Sequence, residues 1–162
     1  MLFRSQAETA LAVRTADCLP ILLADPKTGI AAAVHAGWRG TALQVAYKAV
    51  QEMVSAGAQT KDILASLGPC IGPCCFFIDT NTADKLANSV QGADKHIQRD
   101  TETSADLRAI NVLQLLQCGL TEAHIEHFCA CTACDSTRFF SYRRDGKQTG
   151  RHLAVVALPR RP

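Results

Sequence analysis

At 162 residues, 48% of them hydrophobic and 20% charged, the chain has apolar material for one ordinary domain and no need of a second core. A net charge of +2, with no basic cluster interleaved with aromatics, gives no ground for nucleic-acid binding, and no apolar run approaches the roughly 20 residues of a membrane span. Eight cysteines are many for this length, but the long apolar runs argue against a disulfide scaffold and for reduced thiols in a cytoplasmic protein.

The chain opens with MLFRS, and LFRS is also what a common sequencing-adapter end encodes. Met1–Ser5 is therefore expected to be non-native, with the natural frame beginning upstream. Thr9–Thr15 alternates as a strand. Cys18–Ala24 is a short apolar strand in which Pro20 favours an edge or a bulge. The turn DPKTG leads to a second buried strand, Ile30–His35, so the two strands are expected to form a hairpin. Val45, Ala46, Ala49, Val50, Met53 and Val54 then follow a helical rhythm, closed by Gly57. Ile63–Leu67 reads as a strand, Thr82–Val90 as a helix, and Gln91–Ser104 as a mobile polar loop. Leu107–Cys118 is an amphipathic helix closed by Gly119. Ile125–Cys129, Arg138–Arg143 and Leu153–Leu158 read as three more strands. Tight turns among interleaved strands and helices point to antiparallel pairing in a layered α/β sandwich rather than a doubly wound sheet.

The hairpin carries the first candidate site. Cys18 starts one arm and His35 ends the other, which brings a thiol and an imidazole to one sheet end. Such a pair suits two of the three ligands of an open zinc site, or a thiolate activated by a histidine. A buried structural cysteine beside a polar strand-end histidine is the plainer alternative. HAGWRG follows, where Trp38 offers a stacking face and Arg39 a planar fork for phosphate or carboxylate. Arg143, within RFFSYRRDGKQTGR, is a second candidate for holding a substrate anion; a hairpin with a solvated basic tip is the alternative. The clusters Cys70/Cys74/Cys75 and Cys129/Cys131/Cys134 are either a closed zinc site or core and loop thiols, and their spacing matches no regular zinc knuckle. His124 and His127 read as surface residues; His96 and His152 carry no signal.

TADCLPILL, VHAGWRG, GPCIGPCC, FFSYRRDG and TGR stand in the order in which they occur in the laccase-domain family, and the chain resembles it from about Thr9 onward. That family is also called multicopper polyphenol oxidoreductase-like, or peptidoglycan editing factor. The resemblance implies an α-β-β-α sandwich with mixed, largely antiparallel sheets, similar to the catalytic domain of cytotoxic necrotizing factor. It implies a mononuclear zinc site of two histidines and one cysteine, with Cys18 matching the cysteine ligand and His35 the second histidine. The first histidine lies in a QVHG-type segment that this sequence lacks, so residues 1–162 are expected to be one N-terminally truncated domain, with an incomplete site and little activity.

The implied chemistry is phosphorolysis of adenosine, inosine, guanosine or methylthioadenosine, and deamination of adenosine. The expected partners are a purine nucleoside and phosphate, with Arg39 and Arg143 as binding residues, in a monomer or weak homodimer. A second implied role is amide hydrolysis that removes L-serine wrongly joined to a peptidoglycan precursor. Copper-dependent phenol oxidation fits the residues poorly, because five histidines include no His-x-His pair for a trinuclear cluster, although Cu²⁺ binds Cys and His donors more tightly than Zn²⁺. A metal-binding protein without catalysis is the remaining alternative.

Overall fold

The computed structural model describes residues 2–4, through their backbone alone, and residues 9–158. In chain order the elements are β1 (Leu2–Arg4), β2 (Leu11–Thr15), β3 (Leu19–Asp25), β4 (Ile30–Ala36), α1 (Trp38–Ala42), α2 (Val45–Ser55), β5 (Leu64–Leu67), α3 (Thr80–Ala87), β6 (Ile97–Arg99), β7 (Thr103–Ala105), α4 (Leu107–Gln117), β8 (Ile125–His127), α5 (Tyr142–Asp145) and β9 (His152–Val156). Of the stretch Met1–Ser5 read as foreign, Met1 and Ser5 lie outside the described residues, and Leu2–Arg4 pairs antiparallel with β4.

The expected hairpin is the centre of the fold. β3 and β4 pair antiparallel from Leu19↔Ala36 to Asp25↔Ile30. They lie inside a five-stranded mixed sheet of order β1-β4-β3-β5-β8, in which only β5 and β8 run parallel. β3 is thus an interior strand, not the edge that Pro20 led us to expect. Pro20 is tolerated because it sits at the strand end, one residue before pairing with β5 begins at Ile21↔Leu67. Its carbonyl still accepts from the Gly68 amide at 3.0 Å.

Alternation sorts the two faces of this sheet. Leu19, Ile21 and Leu23 of β3 and Ile30, Ala32, Val34 and Ala36 of β4 form one face, packed against Ala46, Ala49, Val50 and Met53 of α2. Ala31, Ala33 and Leu22 form the other, packed against Leu11 and Val13 of β2 and Ala154 and Val156 of β9. β2 and β9 make a separate antiparallel ribbon, in register from Leu11↔Val156 to Thr15↔His152. A second core gathers Ile71, Phe76, Ala83, Leu86, Leu107 and Ile110 around α3 and α4.

Caps explain several boundaries. Asp79 accepts from the Thr82 amide at 2.8 Å, so α3 starts at Thr80, earlier than the apolar pattern marks. Asp106 accepts from the Ala109 amide at 3.0 Å and starts α4. Two readings are corrected. Gln91–Ser104 is not an irregular loop: it holds a 3-10 turn at Ala93–His96 and the hairpin β6–β7, pinned by the register Ile97↔Ala105. Arg138–Arg143 is not a strand. Asp135 accepts from the Arg138 amide and side chain, and Ser141 caps α5 by accepting from the Arg144 amide. Those local bonds hold the segment in turns and remove it from any ladder. Among the described residues no helix is long and apolar enough to cross a membrane.

Candidate functional site

The register decides where Cys18 and His35 stand. His35 pairs with Pro20, and Cys18 lies two residues before Pro20, so the two candidates are diagonal neighbours on one face of the hairpin. That is the face covered by the β2–β9 ribbon. Cys18 sits against Gly37: a Cβ there would come within 2.9 Å of Cys18 Sγ, so any larger residue would displace the thiol. Burial, and then the neighbouring Asp17 carboxylate, push the Cys18 thiol up, while Arg151 opposes them. Loss of water on the covered side of the His35 ring holds its pKa below the usual histidine value, against a hydrogen bond to the Arg14 backbone. A neutral imidazole beside a half-buried thiol is the chemistry of a metal ligand pair. Among the described residues, no third histidine, cysteine or carboxylate joins these two in a ligand group. The donors present therefore fit part of a zinc site and not a whole one.

The other histidines do not fill the gap. His152 Nε2 accepts from the Phe140 amide at 3.0 Å, and its ring packs against Phe139 and Phe140. His124 lines a hollow at the far end of the sheet with Leu22, Ala24 and Leu64. His127 is exposed, its Nδ1 3.3 Å from Cys129 Sγ.

Trp38 follows Gly37 at the head of α1 and is the wall between two clefts. One is lined by Phe76, Phe77, Ile78, Asp79, Thr82 and Arg143; the other by Arg39, Ala42, Leu43 and Lys85. The Arg39 guanidinium lies 4.5 Å over the Trp38 ring. Arg143 Nη1 and Nη2 donate to the carbonyls of Cys75 and Phe77 at 2.9 and 3.1 Å. Two of its five donors are thus committed to the backbone and three remain. The structure brings Trp38 and Arg143 into one cleft and places Arg39 in the next. Helix α1 is held from behind by α4, where Asn111 donates to Thr41 Oγ1 at 2.9 Å and Gln114 donates to the Thr41 carbonyl at 2.8 Å.

Asp17 escaped the sequence reading. It is buried, in the left-handed conformation at φ 84°, next to Cys18. Its carboxylate accepts from Thr132 Oγ1 at 2.7 Å and from the Arg143 amide at 2.6 Å, while its own carbonyl accepts from the Ile71 amide. One residue therefore ties the β2–β3 turn to three distant segments, two through its side chain and one through its backbone. The only signal was an aspartate in a turn between two apolar strands, which fits any loop.

The two cysteine-rich loops meet. A parallel bridge joins Cys70 to Cys131, and Gly72 donates its amide to Cys131 Sγ at 3.2 Å. Cys74, Cys75, Cys131 and Cys134 have their sulfurs within 4.8 Å of one another. Cys70 and Cys129 stay apart from this group, Cys70 buried with Arg108 Nη2 at 3.5 Å. Burial pushes the Cys74 thiol up to about 11 and the Cys75 thiol higher still. For Cys131 burial acts in the same direction, but backbone amides of Gly72, Cys134 and Ala133 overcome it and bring the thiol down to about 7.

The chain is similar to known proteins. Residues 1–159 match the family described as multi-copper polyphenol oxidoreductase laccase. The chain is 37% identical over 163 residues to the purine nucleoside phosphorylase YlmD of Geobacillus stearothermophilus, covering 96% of this chain and 58% of that protein. It is 38% identical over 149 residues to the adenosine deaminase RL5 of an unknown prokaryotic organism, covering 90% and 57%. Among solved structures, the hypothetical protein YfiH of Bacillus licheniformis superposes with a TM-score of 0.92 at 34% identity, covering 96% of this chain and 60% of that one. The chain thus spans somewhat under two thirds of the length of these relatives. The match runs through the hairpin, the Trp38 clefts and both cysteine loops, and on it the chain belongs to the multi-copper polyphenol oxidoreductase laccase family.

Proposed function

We propose that the chain carries the base- and phosphate-binding part of a purine nucleoside enzyme, acting by phosphorolysis and, on adenosine, by deamination. The observation that carries this reading is the cleft between Trp38 and Arg143, one residue along the chain from the Gly37 that abuts Cys18. An aromatic wall suits a flat purine, and the uncommitted donors of Arg143 suit phosphate. The names of the relatives, phosphorylase and deaminase, support the same substrate class. The reading includes the α-β-β-α sandwich of the toxin catalytic domain, supported by helices on one face of the central sheet and a β-ribbon on the other.

Cys18 and His35 are the residues that would hold zinc, together with a third donor from outside the described residues. Zinc there supplies a Lewis acid and a water acidified towards neutrality. The chain's own residues do the rest. Trp38 stacks the base, and Phe76 closes the apolar floor of the cleft. Arg143 orients phosphate in the cleft, and Arg39, across Trp38 in the next cleft, adds positive charge that attracts it; Arg39 has no carboxylate partner among the described residues. In phosphorolysis a phosphate oxygen bonds to the ribose C1′, the bond from C1′ to the purine nitrogen breaks, and the base leaves with a proton from solvent.

Trp38 is the chain's single tryptophan, so binding can be read without turnover. Inosine is expected to quench its fluorescence. Arg143→Ala is expected to weaken phosphate-dependent binding by roughly 10- to 100-fold, the value of a hydrogen bond to a charged group. In turnover assays of a form that supplies the third zinc donor, Cys18→Ser is expected to abolish release of hypoxanthine from inosine and phosphate. Unchanged fluorescence with inosine, and turnover that survives Cys18→Ser, would remove the nucleoside reading. Hydrolysis of a serine-substituted muropeptide precursor in its place would shift the function to amide cleavage. Oxygen-dependent phenol oxidation would shift it to copper chemistry. Metal binding with no turnover at all would leave a binding protein.

A further inference from the structure

We propose that Cys74, Cys75, Cys131 and Cys134 form a closed tetrathiolate site for a single zinc ion, separate from Cys18 and His35, which staples the GPCIGPCC loop to the CACTAC loop. It does not depend on the nucleoside reading. Four sulfurs within 4.8 Å of one another enclose a space for one ion. Around zinc bound at roughly 2.3 Å, tetrahedral sulfurs stand about 3.8 Å apart. The separations of Cys134 Sγ from Cys74 Sγ and Cys75 Sγ are 3.5 and 3.4 Å, already near that value and far longer than a disulfide bond. A bridged iron–sulfur cluster needs its cysteines spread wider than this, so one ion is the better fit.

The surroundings are built for thiolates. Cys131 and Cys134 are the ends of a Cys-x-x-Cys turn, and amides within it and at Gly72 converge on Cys131 Sγ. Gly72 packs closely on the group: a Cβ there would lie 3.3 Å from both Cys74 Sγ and Cys131 Cβ and would push them apart by a few tenths of an ångström. A divalent ion held by four thiolates leaves an excess of negative charge. Two cations stand next to it, fixed on the backbone of the two loops. Arg143 donates to the Cys75 carbonyl. Arg144 donates to the carbonyls of Thr132 and Ala133 at 3.0 and 3.1 Å, but its charge is shared with Asp145, to which it also donates at 2.8 and 2.7 Å, so Arg143 is the cation with its charge left for the thiolates. On binding, each thiol gives its proton to solvent and no electron moves. The sequence left a zinc site and plain thiols as open alternatives, because the ligand pairs are about 60 residues apart and one pair is adjacent, Cys74–Cys75, instead of spaced as a knuckle.

The test uses the full chain, expressed with zinc and purified without oxidant. X-ray absorption at the zinc edge should show a sulfur-only shell for the zinc that Cys18→Ser retains. Cys131→Ser and Cys74→Ser should each lose about one zinc per chain. Should either variant fail to fold, the unsubstituted chain still decides. Cobalt(II) added to the zinc-free form should give thiolate charge-transfer and tetrahedral ligand-field bands, and alkylation mapping should find Cys74, Cys75, Cys131 and Cys134 protected by zinc and released by chelator. Zinc content unchanged in both folded variants, no cobalt–thiolate bands, or a disulfide among the four in the freshly isolated chain would each overturn the proposal.

Discussion

Asp17 shows how much one residue can carry beside a site. It accepts an early left-handed turn, where the side chain of Asp is better tolerated than most. It also holds two charge-assisted hydrogen bonds, to Thr132 Oγ1 and to the Arg143 amide. Asp17→Ala loses both and gains backbone strain, so we expect a loss of about 3–4 kcal/mol in urea unfolding. Asp17→Asn keeps one carbonyl oxygen for the Arg143 amide, and its amide group can donate to Thr132 if the hydroxyl turns round. It should cost less than half as much. Equal losses for the two variants would show that charge, not hydrogen-bond geometry, holds these loops. A loss under about 0.5 kcal/mol for Asp17→Ala would show that the loops are fixed without it.

At the scale of elements, the β3–β4 turn has a comparable anchor in Asp25. It is fully buried, with its carboxylate accepting from the amides of Lys27 and Thr28 at 2.8 and 3.1 Å and of Gln59 at 3.2 Å. Burial alone would raise its pKa, but donors from Thr28, Gln59 and Lys27 hold it below the usual carboxylate value. A depressed folded-state pKa stabilises the fold above the unfolded-state value of about 4, and that contribution is lost as pH falls through the folded-state value. Stability should therefore drop below about pH 4, and the gap between the native chain and Asp25→Asn should narrow over that same range. A gap that stays constant down to about pH 2 would sink the assignment. The hairpin itself was legible because DPKTG separates two apolar runs and leaves few other pairings. The five-stranded sheet was not: Leu2–Arg4 reads as foreign, and although Ile125–Cys129 reads as a strand, nothing local marks its parallel pairing with β5. Arg138–Arg143 misled for a related reason: it is rich in aromatics, which favour strands, yet Asp135 and Ser141 capture the backbone locally. Cys18 and His35 were readable as strand-end partners. The two cysteine clusters were readable as a possible zinc site, but not which four of the six cysteines converge. Asp17 was not readable at all, since its side-chain contacts lie 115 and 126 residues away and no local pattern spans that distance.

At the scale of the whole molecule, the question is whether two cores unfold as one. The sheet core is gathered around β3, β4 and α2, and the second core around α3 and the loop from Ile71 to Phe76. Helix α4 belongs to both: Leu115 is buried in the first, and Leu107 and Ile110 in the second. Its Asn111 and Gln114 also grip Thr41 of α1, so the helix cannot leave one core without disturbing the other. Two bodies that share a rigid beam and its buried hydrogen bonds should melt in a single transition. Leu115→Ala and Ile110→Ala each remove a fully buried side chain and should each cost about 2–4 kcal/mol. Trp38 packs against the second core, so its fluorescence reports there, while far-ultraviolet circular dichroism reports on all the helices and strands. Both probes should give one midpoint, and both variants should lower it together. If Ile110→Ala shifts the fluorescence midpoint and leaves most of the dichroism transition in place, α4 does not couple the cores and the second core opens on its own.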